Sequence, residues 1–189
     1  LGDVYKRQIK IGGVDVKEIS EKELMSKISF VFQDSRLLKK SFKENIKMGS
    51  NASVEDIQTA VHKAQCDDII EKFDQGLETK IGSKGVYLSG GETQRLTLAR
   101  AIVKDAPILL LDEATAYADS DNEVLMQKAI MELAKDKTTI MIAHRLSTIV
   151  NVDCIYVVDN GEIIESGTHQ ELLIKNGLYA QMWHQYCQS

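Results

Sequence analysis

No apolar run in this sequence extends beyond a few positions; residues 108–111 and 154–158 are among the longest. A membrane-crossing helix needs about 20 such residues, so no segment of this chain is expected to cross a bilayer. The opening LGDVYKRQ lacks the apolar stretch of a secretory signal. There is no basic excess: 23 Lys and Arg stand against 28 Asp and Glu, a net charge of −5. That balance argues against nucleic acid as a partner. Cys66, Cys154 and Cys187 are odd in number and lack CxxC spacing, so they are read as reduced thiols, with neither a disulfide framework nor a zinc site. The only proline, Pro107, precedes the apolar run ILLLD, where it ends a helix. Internal repeats and low-complexity tracts are absent. With 43% hydrophobic and 27% charged residues, the chain has the balance of a globular domain.

Short β-type runs alternate with helical patterns, which predicts an α/β domain with a mainly parallel sheet. Strands are expected over 28–32, 108–112, 138–143, 154–158 and 162–165. The last two flank Asp159-Asn160-Gly161, whose Asn-Gly step signals a hairpin. ILLLD reads as a strand with both faces covered. Capping-box spacing at Ser20/Glu23, Ser53/Asp56 and Thr168/Glu171 marks helix starts, and Gly177 is expected to close the helix that follows Thr168. Val54, Ile57, Val61 and Ala64 form one apolar helical stripe; Met126, Ala129, Ile130, Leu133 and Ala134 form another. Residues 41–104 are mostly helical and interrupt the strand alternation, so they read as a helical subdomain, with 105–189 returning to the α/β core.

Several sites carry chemistry. Asp112 and Glu113 end the apolar strand ILLLD, which puts two carboxylates at the C-terminal edge of a sheet, where open α/β folds bind ligands. One suits Mg²⁺ and the other an attacking water; two acids after a strand are equally a helix N-terminal charge pair. Ser89-Gly90-Gly91 precedes a helix running to Lys104, whose free N–H groups and dipole suit phosphate. In isolation Ser-Gly-Gly is also an ordinary turn. Gln33 and His144 each follow a strand and place one polar group at its end.

Taken in order, VFQDS, LSGGETQRLTLARAI, ILLLDEAT, IAHRLSTI and IYVVDNGEIIESGTHQELL resemble the Q-loop, signature, Walker B, switch-histidine and C-terminal segments of ABC transporter nucleotide-binding domains. The resemblance runs from about Ile9 to the C-terminus. It implies a three-layer P-loop NTPase-like core with an inserted helical subdomain, using ATP and Mg²⁺. It assigns Asp112, with Gln33, to Mg²⁺, Glu113 to the general base, and His144 to the γ-phosphate. Ser89, Gly90, Gly91 and Asp119 would act across a head-to-tail dimer with a second nucleotide-binding domain. The segments SFKENI, IAHRLSTI and SGTHQELL resemble exporters whose membrane and ATPase parts share one polypeptide, with the ATPase on the cytoplasmic face. Importers, soluble ABC ATPases and a regulatory module remain alternatives.

The sequence departs from that pattern at three places. No G-x-x-x-x-G-K-[ST] occurs, so the loop that cradles phosphates is missing. Residues 1–8 read as a non-native scar, Tyr5 does not replace the adenine-stacking aromatic, and these 189 residues are expected to be inactive alone, with an unpaired sheet edge that favours association. Glu92-Thr93 occupies variable positions of the signature. Ala116-Tyr117-Ala118-Asp119 stands where many relatives have Ser-Ala-Leu-Asp.

Overall fold

The computed structural model describes residues 8–33, 35–82, 85–112, 120–143 and 145–188. The chain forms two compact units, Leu1–Ile142 and Ala143–Ser189.

The first unit opens with a short antiparallel hairpin, β1 (Lys10–Ile11) and β2 (Val14–Asp15). Gly12 and Gly13 form its turn with φ of 58° and 86°, angles open to glycine at little cost. Helix α1 (Glu21–Lys27) follows, with Ser20 capping through its hydroxyl alone rather than through a full box. A parallel three-stranded sheet then forms in the order β3 (Ile28–Val31), β4 (Ile108–Asp112), β5 (Thr138–Ile142). Helices α2 (Phe42–Lys47), α3 (Val54–Lys63), α4 (Asp67–Glu71) and α5 (Gly90–Lys104) lie between β3 and β4 in sequence. Helix α6 (Ser120–Ala134) links β4 to β5, the crossover that parallel neighbours require.

Val31, Leu109 and Leu111 point into a core with Phe42, Ile46, Ile57, Leu96, Leu98, Met126 and Leu133. Full burial of each such side chain contributes about 1.5–3 kcal/mol. The opposite sheet face is open among the described residues: Phe30, Ile140 and Ile142 are exposed and Leu110 is half-buried. Among the described residues ILLLD is covered on one face, and its residues alternate between buried and half-buried. Its side chains alternate, because the helices of this unit pack against one face. Stripe positions Ile57, Val61, Ala64, Met126, Ala129, Ile130 and Leu133 are buried. Val54, in the first turn of α3, is 50% exposed, and Ala134 is half-buried at the end of α6. Burial pushes the Cys66 thiol up, which keeps it an inert core group.

Asn45 has no solvent exposure and organises the segment after β3. Its Nδ2 donates to the carbonyls of Leu38 at 3.0 Å and Ser41 at 2.9 Å, and its Oδ1 accepts from Leu38 N–H at 2.7 Å. Arg100 Nε of α5 donates to the Asn45 carbonyl at 2.9 Å.

The second unit holds the hairpin β6 (Ile155–Asp159) and β7 (Glu162–Gly167), then α7 (His169–Lys175) and α8 (Leu178–Gln188). Asn160 and Gly161 form the two-residue turn with φ of 46° and 82°, the signature of a type I′ connection. Thr168 and Glu171 complete a capping box. The left-handed residue closing α7 is Asn176, with φ of 52°, and not Gly177 as expected. Gly177 has a different reason to lack a side chain: a Cβ there would lie 1.7 Å from Glu165 Oε1. That carboxylate is buried and accepts the first N–H groups of α8, from Leu178 at 2.9 Å and Tyr179 at 3.1 Å. His169 Nδ1 meets Tyr179 Oη at 2.7 Å beside the cluster of Leu146, Ile155, Val157 and Leu172.

Replacing Asn45 with Ala strands several buried polar partners. It should lower unfolding stability by roughly 2–3 kcal/mol in urea titrations, while Val54→Ala should stay within about 0.5 kcal/mol. Equal effects of the two substitutions would contradict this account of the helical region.

Candidate functional site

Three parallel strands bring their C-terminal ends to one edge. Asp112 ends β4, the central strand, and its register partner is Ile142, the last residue of β5. Val31, the last residue of β3, pairs with Leu111, so Gln33 follows β3 at the same edge. Both Asp112 and Gln33 are half-buried. Glu113, Asp119 and His144 lie outside the described residues.

Ser89, Gly90 and Gly91 stand at the start of α5. Ser89 is the N-cap, and its hydroxyl accepts from Glu92 N–H at 3.1 Å. The Glu92 carboxylate returns to accept Ser89 N–H at 2.7 Å. The two residues have the same three-residue spacing as the boxes read at Ser53 and Thr168, so this capping box was legible in the sequence although it was not read there. Ser89 and Gly90 are exposed and Gly91 is buried. A Cβ on Gly91 would come within 3.0 Å of Asn122 Cγ in α6. Close packing of two helices, rather than ligand approach, is therefore the constraint the structure displays at Gly91.

Helix α4 braces the first turns of α5 with two crossed charge pairs that sequence reasoning missed. Arg95 has a 3% exposed side chain, and its guanidinium donates to both Asp68 oxygens at 2.7 and 2.9 Å and to the Gln65 carbonyl. One turn earlier, Lys72 Nζ lies 3.1 Å from Glu92 Oε1. The spacings, Asp68/Lys72 and Glu92/Arg95, are those of helix faces, but no sequence rule states that the two faces meet. The Arg95 guanidinium holds the Asp68 carboxyl below the ordinary carboxylate range against a smaller effect of burial. At Glu92 burial pushes upward, but the Ser89 N–H and Lys72 outweigh it and the carboxyl sits below its ordinary value. Both are therefore anions at neutral pH. Gln94, 1% exposed, has no hydrogen-bond partner for either amide atom among the described residues.

Two features of the described residues bear on ligand chemistry. An acidic strand edge with Asp112 suits a cation, and its half-exposed carboxylate fits Mg²⁺ with water completing the shell. A capped helix start with an exposed hydroxyl suits an anion.

A family model described as ABC transporter matches residues 3–116. The chain is 47% identical over 183 residues to the ATP-dependent lipid A-core flippase of Methylobacillus flagellatus, covering 96% of this chain and 31% of that protein. It is 43% identical over 182 residues to the mycobactin import ATP-binding/permease protein IrtA of Mycobacterium tuberculosis, covering 96% of this chain and 21% of that one. Among solved structures it resembles a bacterial Atm1-family ABC exporter with ATP bound, with a TM-score of 0.88 and 39% identity over 95% of this chain and 32% of that one. The chain thus spans between about a fifth and a third of these relatives.

The Asp68–Arg95 pair gives a pH prediction. A depressed carboxyl contributes stability in full above its ordinary value and loses it as pH falls through the depressed one. Urea stability should therefore decline as pH falls below the ordinary carboxylate range. Asp68→Asn should lower stability at pH 7 and flatten part of that acid decline. An acid limb identical in the variant would contradict the pair's role.

Proposed function

The chain belongs to the ABC transporter family, and from that membership we propose that it is the ATP-hydrolysing domain that drives a substrate across a membrane, in the export direction. The observation that carries this reading is that the two features lie on different elements: Asp112 ends β4 of the parallel sheet, and Ser89 caps α5, the last of the helices between β3 and β4. A nucleotide needs both ends of its charge met, so a second copy supplies the missing half. Two copies related head to tail satisfy both sites at once.

In this reading Asp112 and Gln33 would hold Mg²⁺, which would supply neutralisation of phosphate charge. Glu113 takes a proton from the attacking water, and a carboxylate directly following a metal-binding one is suited to that task. His144 donates to the terminal phosphate. Ser89, with the N–H groups of Gly90 and Gly91, binds the phosphate of a nucleotide held mainly by the second copy, where electrostatic preorganisation is worth most. Asp119 belongs to the same interface. A transmembrane part on the same polypeptide places the domain at the cytoplasmic face. The 189 residues contain no glycine-rich lysine loop, so alone they are expected to hold MgATP weakly and to turn it over poorly. The import reading is favoured by the name of the mycobactin relative; transport in vesicles of known orientation separates the two directions.

In a longer protein that contains this chain together with a phosphate loop, Glu113→Gln should lower ATP turnover by about 10²-fold or more while MgATP still brings two copies together. His144→Ala should lower turnover strongly as well. Undiminished phosphate release from Glu113→Gln would remove the general-base assignment.

A further inference from the structure

We propose that Asn160 is a site of spontaneous covalent modification: the backbone nitrogen of Gly161 attacks its side-chain amide, and water completes the conversion to aspartate and isoaspartate. The inference needs no nucleotide and stands apart from the transport reading.

The chain holds two Asn-Gly pairs, Asn160-Gly161 and Asn176-Gly177. Glycine is the successor that obstructs this reaction least, because it puts no Cβ beside the attacking nitrogen and lets the backbone turn towards the side chain. By sequence the two pairs are equivalent, and the structure separates them. Asn160 and Gly161 are both exposed. They lie beyond the last register pair of the β6–β7 hairpin, Asp159 with Glu162. A Cβ built on Gly161 meets no heavy atom within 4 Å, so nothing packs over the tip. The Asn160 amide donates from Nδ2 to Asp159 Oδ2 at 3.1 Å, a contact within the tip itself. Exposed loop tips of this kind are where a chain is free to rearrange.

Asn176 and Gly177 are held on both sides. Asn176 closes α7, and its N–H donates to the Leu173 carbonyl at 3.1 Å. The Gly177 carbonyl accepts from Gln181 N–H at 3.2 Å. The Glu165 carboxylate lies against Gly177 and accepts the next two N–H groups, from Leu178 and Tyr179. Attack by the Gly177 nitrogen therefore waits for the α7–α8 junction to open. Each 1.4 kcal/mol that this opening costs slows the reaction about tenfold.

The reaction balances with water as its only co-reactant. Hydroxide takes the Gly161 N–H proton, the nitrogen bonds to Asn160 Cγ, and the Cγ–Nδ2 bond breaks as ammonia leaves, giving a five-membered imide. Water then opens either imide carbonyl. One opening gives aspartate; the other gives isoaspartate, whose main chain runs through the former side chain. Both products add a carboxylate beside Asp159 and Glu162. Isoaspartate also adds a methylene to a two-residue turn, which the type I′ geometry does not hold.

The test incubates the full-length protein at mildly alkaline pH, with and without urea, and follows both asparagines by peptide mass spectrometry. In the folded protein conversion at Asn160 should be at least about tenfold faster than at Asn176. In urea the ratio should collapse, because both pairs then sit in unfolded chain. Gly161→Ala should slow conversion at Asn160, and an unchanged rate at Asn176 in the same sample reports that the fold survives the substitution. A smaller ratio in the folded protein overturns the proposal. So does a ratio that persists in urea, since neighbouring sequence and not the fold would then set it. An Asn160 that stays intact in the folded protein while the unfolded chain reacts overturns it as well.

Discussion

Helix α5 has to be buried along its length and open at its beginning, and most of the first unit is arranged around that requirement. Leu96, Leu98, Ala99 and Ala101 are packed on several sides, against α2, α3, α6 and β3. A helix hydrophobic on one stripe only would not fit there. At its far end Lys104 Nζ reaches the Ile28 carbonyl at 2.6 Å, tying the helix to the start of β3, and Asp105 closes it in the left-handed conformation. At its near end the Ser89–Glu92 cap satisfies the first N–H groups by a reciprocal bond while Ser89 and Gly90 stay exposed. The two ion pairs from α4 fix the direction in which that end points.

Function follows from which ends are left open. Parallel strands place Asp112 and Gln33 together because β-strands of one direction share a C-terminal edge. The cap at Ser89 belongs to the inserted helices, and its anion-binding start is a separate feature. If, as proposed, Asp112 meets a cation and the start of α5 meets an anion, a chain carrying them on different elements is suited to work in pairs.

The strand–helix alternation and the parallel sheet were legible in the sequence, because apolar runs such as ILLLD and the Asn160-Gly161 turn have few structural alternatives. Capping pairs were legible wherever a serine or threonine stood three residues before an acid. Other features needed three dimensions. The exposure of Ile140 and Ile142 was hidden because an apolar strand reads alike whether one face or two are covered. Gly177 gave a helix-stop signal that Asn176 fulfils, since asparagine also tolerates the left-handed conformation; the contact with Glu165 that excludes a side chain at Gly177 spans 12 residues. The Asp68–Arg95 and Lys72–Glu92 pairs depend on how α4 meets α5, and periodicity within one helix says nothing about its partner.

The central claim is that this chain provides two halves of two different nucleotide sites, each completed by a second copy. A structure of the full-length Glu113→Gln protein with MgATP tests it most directly. The account predicts ATP at an interface between two copies, with the terminal phosphate within hydrogen-bonding distance of Ser89 Oγ from one copy and Mg²⁺ beside Asp112 of the other. A nucleotide enclosed wholly by one copy, with the start of α5 facing solvent, would contradict it.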